Sequence, residues 1–518
     1  MAKAHVVGSG IAALAAAAFL IRDGGFDGTD IHLYEEEPNP GPDAHSTAEA
    51  AYGPFGGRMF EAESRCTRDL LSGVPSLDDP CVSVARQVLD GHEDVTLDGI
   101  ARLVDGDGKT VDTLSMGFSE RDRLELVLCL ATPEGQLDGK RISDCFGEHF
   151  FTTRFWFLWC APFALQPWHS AIDFRRHLRH FLRRSPGLPS TSGVIRTRDD
   201  VHVSITRPLT AWLRGHRVTF HSGCRVTDLG LAPGRRGTTV ETLYVTRHGR
   251  NEKIAVAPGD LVLVTNGSVT DACSTGSHTT APAPRPHRSD AWLLWHRLAR
   301  GRDDFGDPAV FDKSVKESAL VSFTVTTEDP ALLTALEALG AGEGGSVTFT
   351  GSPWLLTVAA GPRPGHRDRP DGPVVLRGHG LYTDRAGDAT PKPMTMCSGR
   401  EILEEVLHHL RLDEATTARV LAASTVVPCL MPYLTSPFLA RRRGDRPQVV
   451  PAGSVNLAFV GRFAEVPDDV AFGVEYSVRT AWTAVARLLH LDGQPPAVFT
   501  GRHAAHELAA ALETVHRR

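Results

Sequence analysis

The stretch HVVGSGIAALAAAAFLIRDGGFDGTDIHLYEEE (His5–Glu37) decides the reading of the fold. His5-Val6-Val7 is a short apolar strand, and the Ala-rich run after Gly10 is a helix. Asp30-Ile31-His32-Leu33-Tyr34 is a second strand, closed by Glu35-Glu36-Glu37. Between strand and helix stands Gly8-Ser9-Gly10-Ile11-Ala12-Ala13, a G-x-G-x-x-A turn. Each small residue in it has a physical task. Gly8 permits the tight turn, Gly10 lets the backbone approach a pyrophosphate, and Ala13 lets the helix lie close to the sheet. The helix N-terminus offers unpaired N–H groups and the positive end of its dipole to phosphates. Glu35 can accept hydrogen bonds from ribose hydroxyls. The glycine turn alone is weak evidence; framed by two strands, a helix and an acid it predicts a dinucleotide-binding α/β domain.

Further strands of the same type come much later in the chain. Asp260-Leu261-Val262-Leu263-Val264 leads into Thr265-Asn266-Gly267-Ser268. Asn456-Leu457-Ala458-Phe459-Val460-Gly461 precedes a helix expected around Val474–Leu489. A dinucleotide domain assembled from distant segments is the FAD pattern, whereas NAD domains are more often contiguous. HTTAPAPRPHRSD (His278–Asp290) and GPRPGHRDRPDGP (Gly361–Pro373) read as exposed loops.

The rest of the chain sets limits. It has 518 residues, 55 Lys+Arg against 62 Asp+Glu for a net charge of -7, and 42% hydrophobic residues. That suits a globular protein of two or three domains and excludes a disordered chain or a general nucleic-acid binder. Nine scattered cysteines with no C-x-x-C pair point to free thiols and a cytoplasmic setting. The apolar run Gly10–Ile21 is too short to span a bilayer. No H-E-x-x-H, G-x-S-x-G or G-x-x-x-x-G-K motif is present, and no metal site is expected.

Phe150–Trp168 holds eight aromatic residues and reads either as the wall of an apolar pocket or as plain core. DFRRHLRHFLRR (Asp173–Arg184) reads as an amphipathic helix whose basic face is either solvated or meets a fatty carboxylate or an anionic membrane surface. Arg441-Arg442-Arg443 reads as a solvated turn, and His408-His409 as the polar face of a helix.

Longer stretches resemble a known family. They include CTRDLLSGVPSLDDP from Cys66, PFALQPWHSAIDFRRHLRHFL from Pro162 and KPMTMCSGREILEEVLHHL from Lys392. The last runs from Pro428 through GSVNLAFVGRFAEVPDDVAFGVEYSVRTAW. Nearly end to end, the chain resembles the oleate hydratases, the FAD-binding fatty-acid double-bond hydratases also called the myosin-cross-reactive antigen family. The resemblance implies an α/β fold with an FAD-binding, Rossmann-like domain of the two-dinucleotide-binding type, an inserted substrate domain and a C-terminal helical segment. The expected FAD domain is discontinuous, 1–60 with 190–285 and 445–490. The substrate domain is 61–189 with 286–444, and the helical segment is 491–518. The implied reaction is addition of water to a cis double bond of a free unsaturated fatty acid, and the implied cofactor is FAD, without net redox turnover. Expected FAD contacts are Gly8, Gly10, Ile11, Ala12, Ala13, Glu35, Gly56, Gly57, Arg58, Val226, Asn266, Gly267, Ser268, Phe472, Gly473 and Ser477. Peripheral membrane contact is compatible with an insoluble substrate, and the chain is expected to be a homodimer or a monomer.

The reactive positions depart from the family pattern. Where the family's glycine loop carries its water-activating Glu, this chain has Met59, and a thioether cannot take a proton from water. Either Glu61 takes that role, or another group does, or the activity differs. At the position of the family's proton-donating Tyr stands His202, whose protonated form is a stronger acid than a phenol. Its other reading is a strand residue facing solvent. Glu63 and Asp200 are further acid–base candidates. Of the carboxylate anchors after Trp354, the Thr and Asn positions are Ala359 and Gly361, while His366 is retained; Trp354 and His366 are the substrate-binding candidates. Three readings remain: a fatty-acid hydratase, a redox flavoenzyme of the desaturase or amine-oxidase type, and a non-catalytic fatty-acid-binding protein.

Overall fold

The computed structural model describes residues 2–36, 59–61, 64–90, 100–113, 115–181, 194–196, 202–234, 237–285, 289–342, 344–360 and 373–498. Its first layer is a five-stranded parallel sheet. The strand order is Leu457–Val460, Leu261–Thr265, Ala4–Val7, Ile31–Glu35 and Thr219–Ser222. The apolar runs HVV, LVLV and LAFV form these strands because both faces of a parallel sheet are covered. Val6, Leu263 and Phe459 are fully buried. The helix Ile11–Arg22 covers the sheet with alanines, and Ala12–Leu20 are buried along almost its whole girth. Its partner is the helix Gly473–Leu488, which packs on it through Val478, Ala481 and Val485. Small side chains on both helices permit that close approach. The outermost strand, Thr219–Ser222, is polar in sequence and carries no apolar run that would announce it.

The chain between the third and fourth crossings of this sheet makes an antiparallel meander, Cys224–Gly234, Gly237–Arg247 and Arg250–Ala255. A second layer is a seven-stranded mixed sheet. Its order is Ser274–Thr275, Ser424–Met431, Leu320–Thr327, Val374–Gly380, Thr357–Ala360, Ser346–Phe349 and Ala101–Val104. Period-2 alternation sends its side chains into two cores. Leu320, Cys429 and Met431 join the Phe150–Trp159 aromatics, while Val321, Phe323, Val426 and Leu430 join Trp354, Ile402 and Val406.

The aromatic run forms the helix Arg154–Phe163. Thr153 caps it by accepting from the Trp156 N–H at 3.1 Å, and Ala164, with φ 51°, ends it. Phe155, Trp156 and Trp159 are buried. No helix among the described residues is long and apolar enough to cross a membrane.

The helix Ala171–Phe181 corrects the solvated reading of DFRRHLRHFLRR. Asp173, Arg175, Arg176 and His177 are all buried. Their partners come from far along the chain. Arg441 Nε lies 3.1 Å and Arg446 Nη2 3.5 Å from the Asp173 carboxylate. Arg176 makes a two-point pair with Glu134, at 2.8 and 2.9 Å, and reaches Glu465 at 2.8 Å. Arg441 is therefore buried too, and only Arg442 and Arg443 of that triplet are exposed. Each buried charge is tolerated because an opposite charge sits against it. Burial alone would push the Asp173 carboxyl up, but Arg441, Arg446 and Arg176 hold it well below the usual carboxylate range. His409 is likewise largely buried, 3.2 Å from the buried Glu405, and only His408 fits the polar face.

Candidate active site

Three strand ends converge on the glycine turn. Gly8 sits at φ 112°, and a Cβ there would stand 2.9 Å from Thr265 Oγ1, so the turn has no room for a side chain. Its N–H donates to the Tyr34 carbonyl at 2.9 Å, which ties the first strand's end to the second. Gly10 is the N-cap of the helix Ile11–Arg22; no side chain caps that end, and its first turn carries no acid. A Cβ on Gly10 would meet nothing within 4 Å. Among the described residues no side chain caps the N–H groups of this helix end, the arrangement a phosphate requires. Gly461 closes the turn after the fifth crossing at φ 98°, and its N–H donates to Thr480 Oγ1 at 2.9 Å.

The polar groups around this crest fit a dinucleotide. Glu35 is buried at the end of its strand. Ser222 Oγ donates to its Oε1, while its Oε2 has no hydrogen-bond partner among the described residues. Asn266 is buried, and neither its amide nitrogen nor its oxygen has such a partner. Buried polar atoms left so are costly. Ribose or ring atoms of a bound cofactor would satisfy them. Gly267, at φ 55°, packs against Phe463 and Trp292, and the Ser268 carbonyl accepts from Trp292 Nε1 at 3.2 Å. Ile11, Ala12 and Ala13 line the start of the helix, Ser477 is buried in the first turns of the helix Gly473–Leu488, and Gly473 opens it at φ 76°. Val226 is buried beside Val245 in the meander.

The expected reactive residues are placed unevenly. Met59–Glu61 form a strand antiparallel to Val194–Arg196, with Glu61 opposite Val194, and this strand packs against the helix Gly473–Leu488. Gly56, Gly57, Arg58, Glu63, Asp200 and His366 lie outside the described residues. His202 is buried, on the wide helical turn His202–Thr206 that leads into the helix Arg207–Gly215, which corrects the alternative of a solvent-facing strand residue. Trp354 is fully buried, and its indole N–H donates to the Arg385 carbonyl at 2.7 Å. The exposed Asp388 and His408 and the largely buried His409 bring one ligand atom each within 4.8 Å of one another.

One feature next to these residues had no sequence signal of its own. A pocket of about 130 Å³ is lined by Ser64, Phe181, Asp469, Phe472, Glu475 and Arg479, among others. His180, Phe181 and the residues from Asp469 to Arg479 lie inside stretches that resemble the family, whereas Ser64, Arg65 and Pro496–Val498 lie outside them. Phe472 and Phe181 connect it to the aromatic core through Phe163, whose ring centroid lies 4.5 Å from that of Phe181 and 5.7 Å from that of Phe472.

The fold and its crest define a Rossmann-like α/β protein, with a second, mixed-sheet layer backed by aromatic residues. The chain belongs to the MCRA family, whose model matches residues 1–486. It is 34% identical over 524 residues to the oleate hydratase of Streptococcus pyogenes serotype M49 (strain NZ131), covering 98% of this chain and 89% of that protein. It is 28% identical over 540 residues to the linoleate hydratase of Lactiplantibacillus plantarum, covering 95% of this chain and 94% of that protein. These relatives put the chain among the hydro-lyase enzymes. Among solved structures it is similar to an oxidoreductase from Methanosarcina mazei, at 12% identity and a TM-score of 0.49, covering 94% of this chain and all of that one. That likeness is too low to carry an argument.

Proposed function

We propose that the protein is an FAD-dependent hydratase that adds water to a cis double bond of a free unsaturated fatty acid, giving a hydroxy fatty acid. Membership of the MCRA family supports the reaction. The observation that carries the cofactor is the crest: a glycine turn with Glu35 Oε2 and the Asn266 amide beside it, neither of which has a hydrogen-bond partner among the described residues. Gly8–Ala13, Glu35, Asn266–Ser268 and Phe472–Ser477 would hold the FAD, with Gly56–Arg58 and Val226 contributing. Bound FAD supplies shape and fixed charge to the site without net electron transfer. The residues fall into an FAD-binding part (1–60, 190–285, 445–490), a substrate part (61–189, 286–444) and a C-terminal segment (491–518).

An isolated alkene resists hydration because protonating carbon creates cationic character. The chain must therefore place an acid on one face of the double bond and a water with a base on the other, and hold the acyl chain so that only one bond lies between them. His202 is the acid in this reading; with Met59 in the position where the relatives' pattern has a Glu, the base is Glu61 or another group near it. The aromatic residues of Phe150–Trp168 suit the acyl chain and His366 its carboxylate end, whereas Trp354, buried in the other core with its indole N–H given to Arg385, supports the fold there.

The test is anaerobic mixing of the FAD-loaded protein with oleic, palmitoleic and linoleic acids, followed by absorbance and mass spectrometry. A hydroxy acid should form with no bleaching of the flavin. His202→Phe should lower kcat at least about 100-fold, and Glu61→Gln should do the same only where Glu61 itself is the base. Bleaching by the fatty acid would favour a redox flavoenzyme, and stoichiometric binding without product a non-catalytic fatty-acid-binding protein.

A further inference from the structure

The pocket between the helices Ala171–Phe181 and Gly473–Leu488 holds two acids, and their hydrogen bonding separates them. Glu475 is fully engaged. Its Oε1 accepts from the Cys66 N–H at 3.0 Å, and its Oε2 from the Thr67 N–H and hydroxyl, each at 2.8 Å. It serves as the N-terminal cap of the helix Arg65–Ser72. Asp469 is only 8% exposed. Its Oδ1 accepts from the Val470 N–H at 2.8 Å, and its Oδ2 has no hydrogen-bond partner among the described residues. Arg479 Nε lies 3.0 Å from that oxygen, but its N–H is not aimed at it and also finds no partner among those residues. The ion pair is thus close without being closed, and a water bound at Oδ2 would complete it.

The position suits a reacting water. The pocket, of about 130 Å³, has room for more than one water. Ser64, three residues beyond Glu61, is part of its wall. The strand Met59–Glu61 packs on the helix whose first turns form another wall. Phe181 and Phe472 form its apolar side and join it to the aromatic core proposed for the acyl chain.

We infer that Asp469 binds the attacking water at Oδ2 and takes its proton, filling the role left open by Met59. This rests on the hydratase reading. In the step, an O–H bond of water breaks and its proton passes to Asp469 Oδ2. The oxygen's lone pair forms the new C–O bond, while the alkene's π pair forms a C–H bond with the proton from His202. Asp469 then gives its proton to solvent and His202 regains one, so the net change is addition of one water. Burial raises the Asp469 carboxyl above the usual carboxylate range, against the pull of Arg479 and His180 and with the repulsion of Glu475. A base so tuned matches the task better than a fully solvated carboxylate.

The test compares wild type, Asp469→Asn, Asp469→Glu and Asp469→Ala, all FAD-loaded, with oleic and linoleic acids. Asp469→Asn should bind FAD and lower kcat at least about 100-fold with KM changed less than about threefold. Asp469→Glu should recover part of the loss, and added formate should raise the rate of Asp469→Ala but not that of wild type. An active wild type with Asp469→Asn within about threefold of its kcat overturns the assignment alone. So does a loss in Asp469→Asn that neither Asp469→Glu nor formate relieves, since that marks a structural role. A wild type that makes no hydroxy acid overturns the hydratase reading, and the assignment falls with it.

Discussion

At the crest of the parallel sheet, negative charge is to be received from outside, by a backbone stripped of side chains. Around Asp173, charge is held entirely by the protein itself, by guanidinium and carboxylate groups brought from four distant segments. The crest leaves polar atoms open, namely Glu35 Oε2 and the Asn266 amide. In the ionic knot every acid faces at least one arginine, although Arg441 Nη1, Arg446 Nε and Nη1 and Glu465 Oε2 make no hydrogen bond among the described residues. A binding site keeps open polar groups for its ligand, whereas an internal joint offsets its buried charges with opposite charges of its own. The knot ties the helix Ala171–Phe181 to the Glu465–Asp469 segment, because Arg176 Nη1 also donates to the Asp469 carbonyl at 3.1 Å. It therefore fixes the loop that leads to the pocket and to Gly473.

The largest effect should come from cutting the knot. Asp173→Ala leaves Arg441 and Arg446 buried with one carboxylate fewer, and should destabilise the fold by about 3–5 kcal/mol, read from denaturant unfolding. A loss below about 1 kcal/mol would mean that the knot is wet and its charges are solvated.

Acid should act on the same region somewhat less strongly. Burial lowers His177 from an ordinary value of 6.5 to about 4. Between those two values the unfolded chain binds the proton and the folded chain does not, so stability is full above pH 6.5 and falls as the pH drops toward about 4. The change is worth up to about 3 kcal/mol. The arginines hold Asp173 and Glu465 below the usual range against the effect of burial. Unfolding measured from pH 7 to 4 should show the decline, to which His5, His169, His221 and His379, lowered likewise by burial, also contribute, and His177→Gln should make it shallower. An unchanged slope in that variant would place the proton elsewhere.

The crest should respond least in stability and most in binding. Gly8→Ala adds a Cβ at φ 112° and 2.9 Å from Thr265 Oγ1. It should cost about 1–3 kcal/mol of stability and weaken FAD binding, read by flavin fluorescence. Unaltered FAD affinity would detach the glycine turn from the cofactor.

The two regions also differ in how far they can be read from the chain. The strand, glycine turn, helix and acid of His5–Glu35 lie within one short stretch, and local pattern is enough to find them. The ionic knot draws on Glu134, Asp173, Arg441, Arg446 and Glu465, and nothing in DFRRHLRHFLRR says which of its charges will be met. Hydropathy therefore sent Arg176 and Arg441 to solvent. The edge strand Thr219–Ser222 escaped for another reason: TFHS has no apolar run, and its place is set by pairing with Ile31–Glu35. Asp469 sits in a stretch whose family likeness is plain, but its open Oδ2 is a matter of three-dimensional geometry that no motif encodes.

The central claim is that this chain adds water across a fatty-acid double bond. The most direct test is incubation of FAD-loaded protein with oleic, palmitoleic and linoleic acids in deuterated water, followed by mass spectrometry. The account predicts a hydroxy acid carrying one carbon-bound deuterium. A loaded protein that forms no hydroxy acid from any of the three, or one without carbon-bound deuterium, would contradict it.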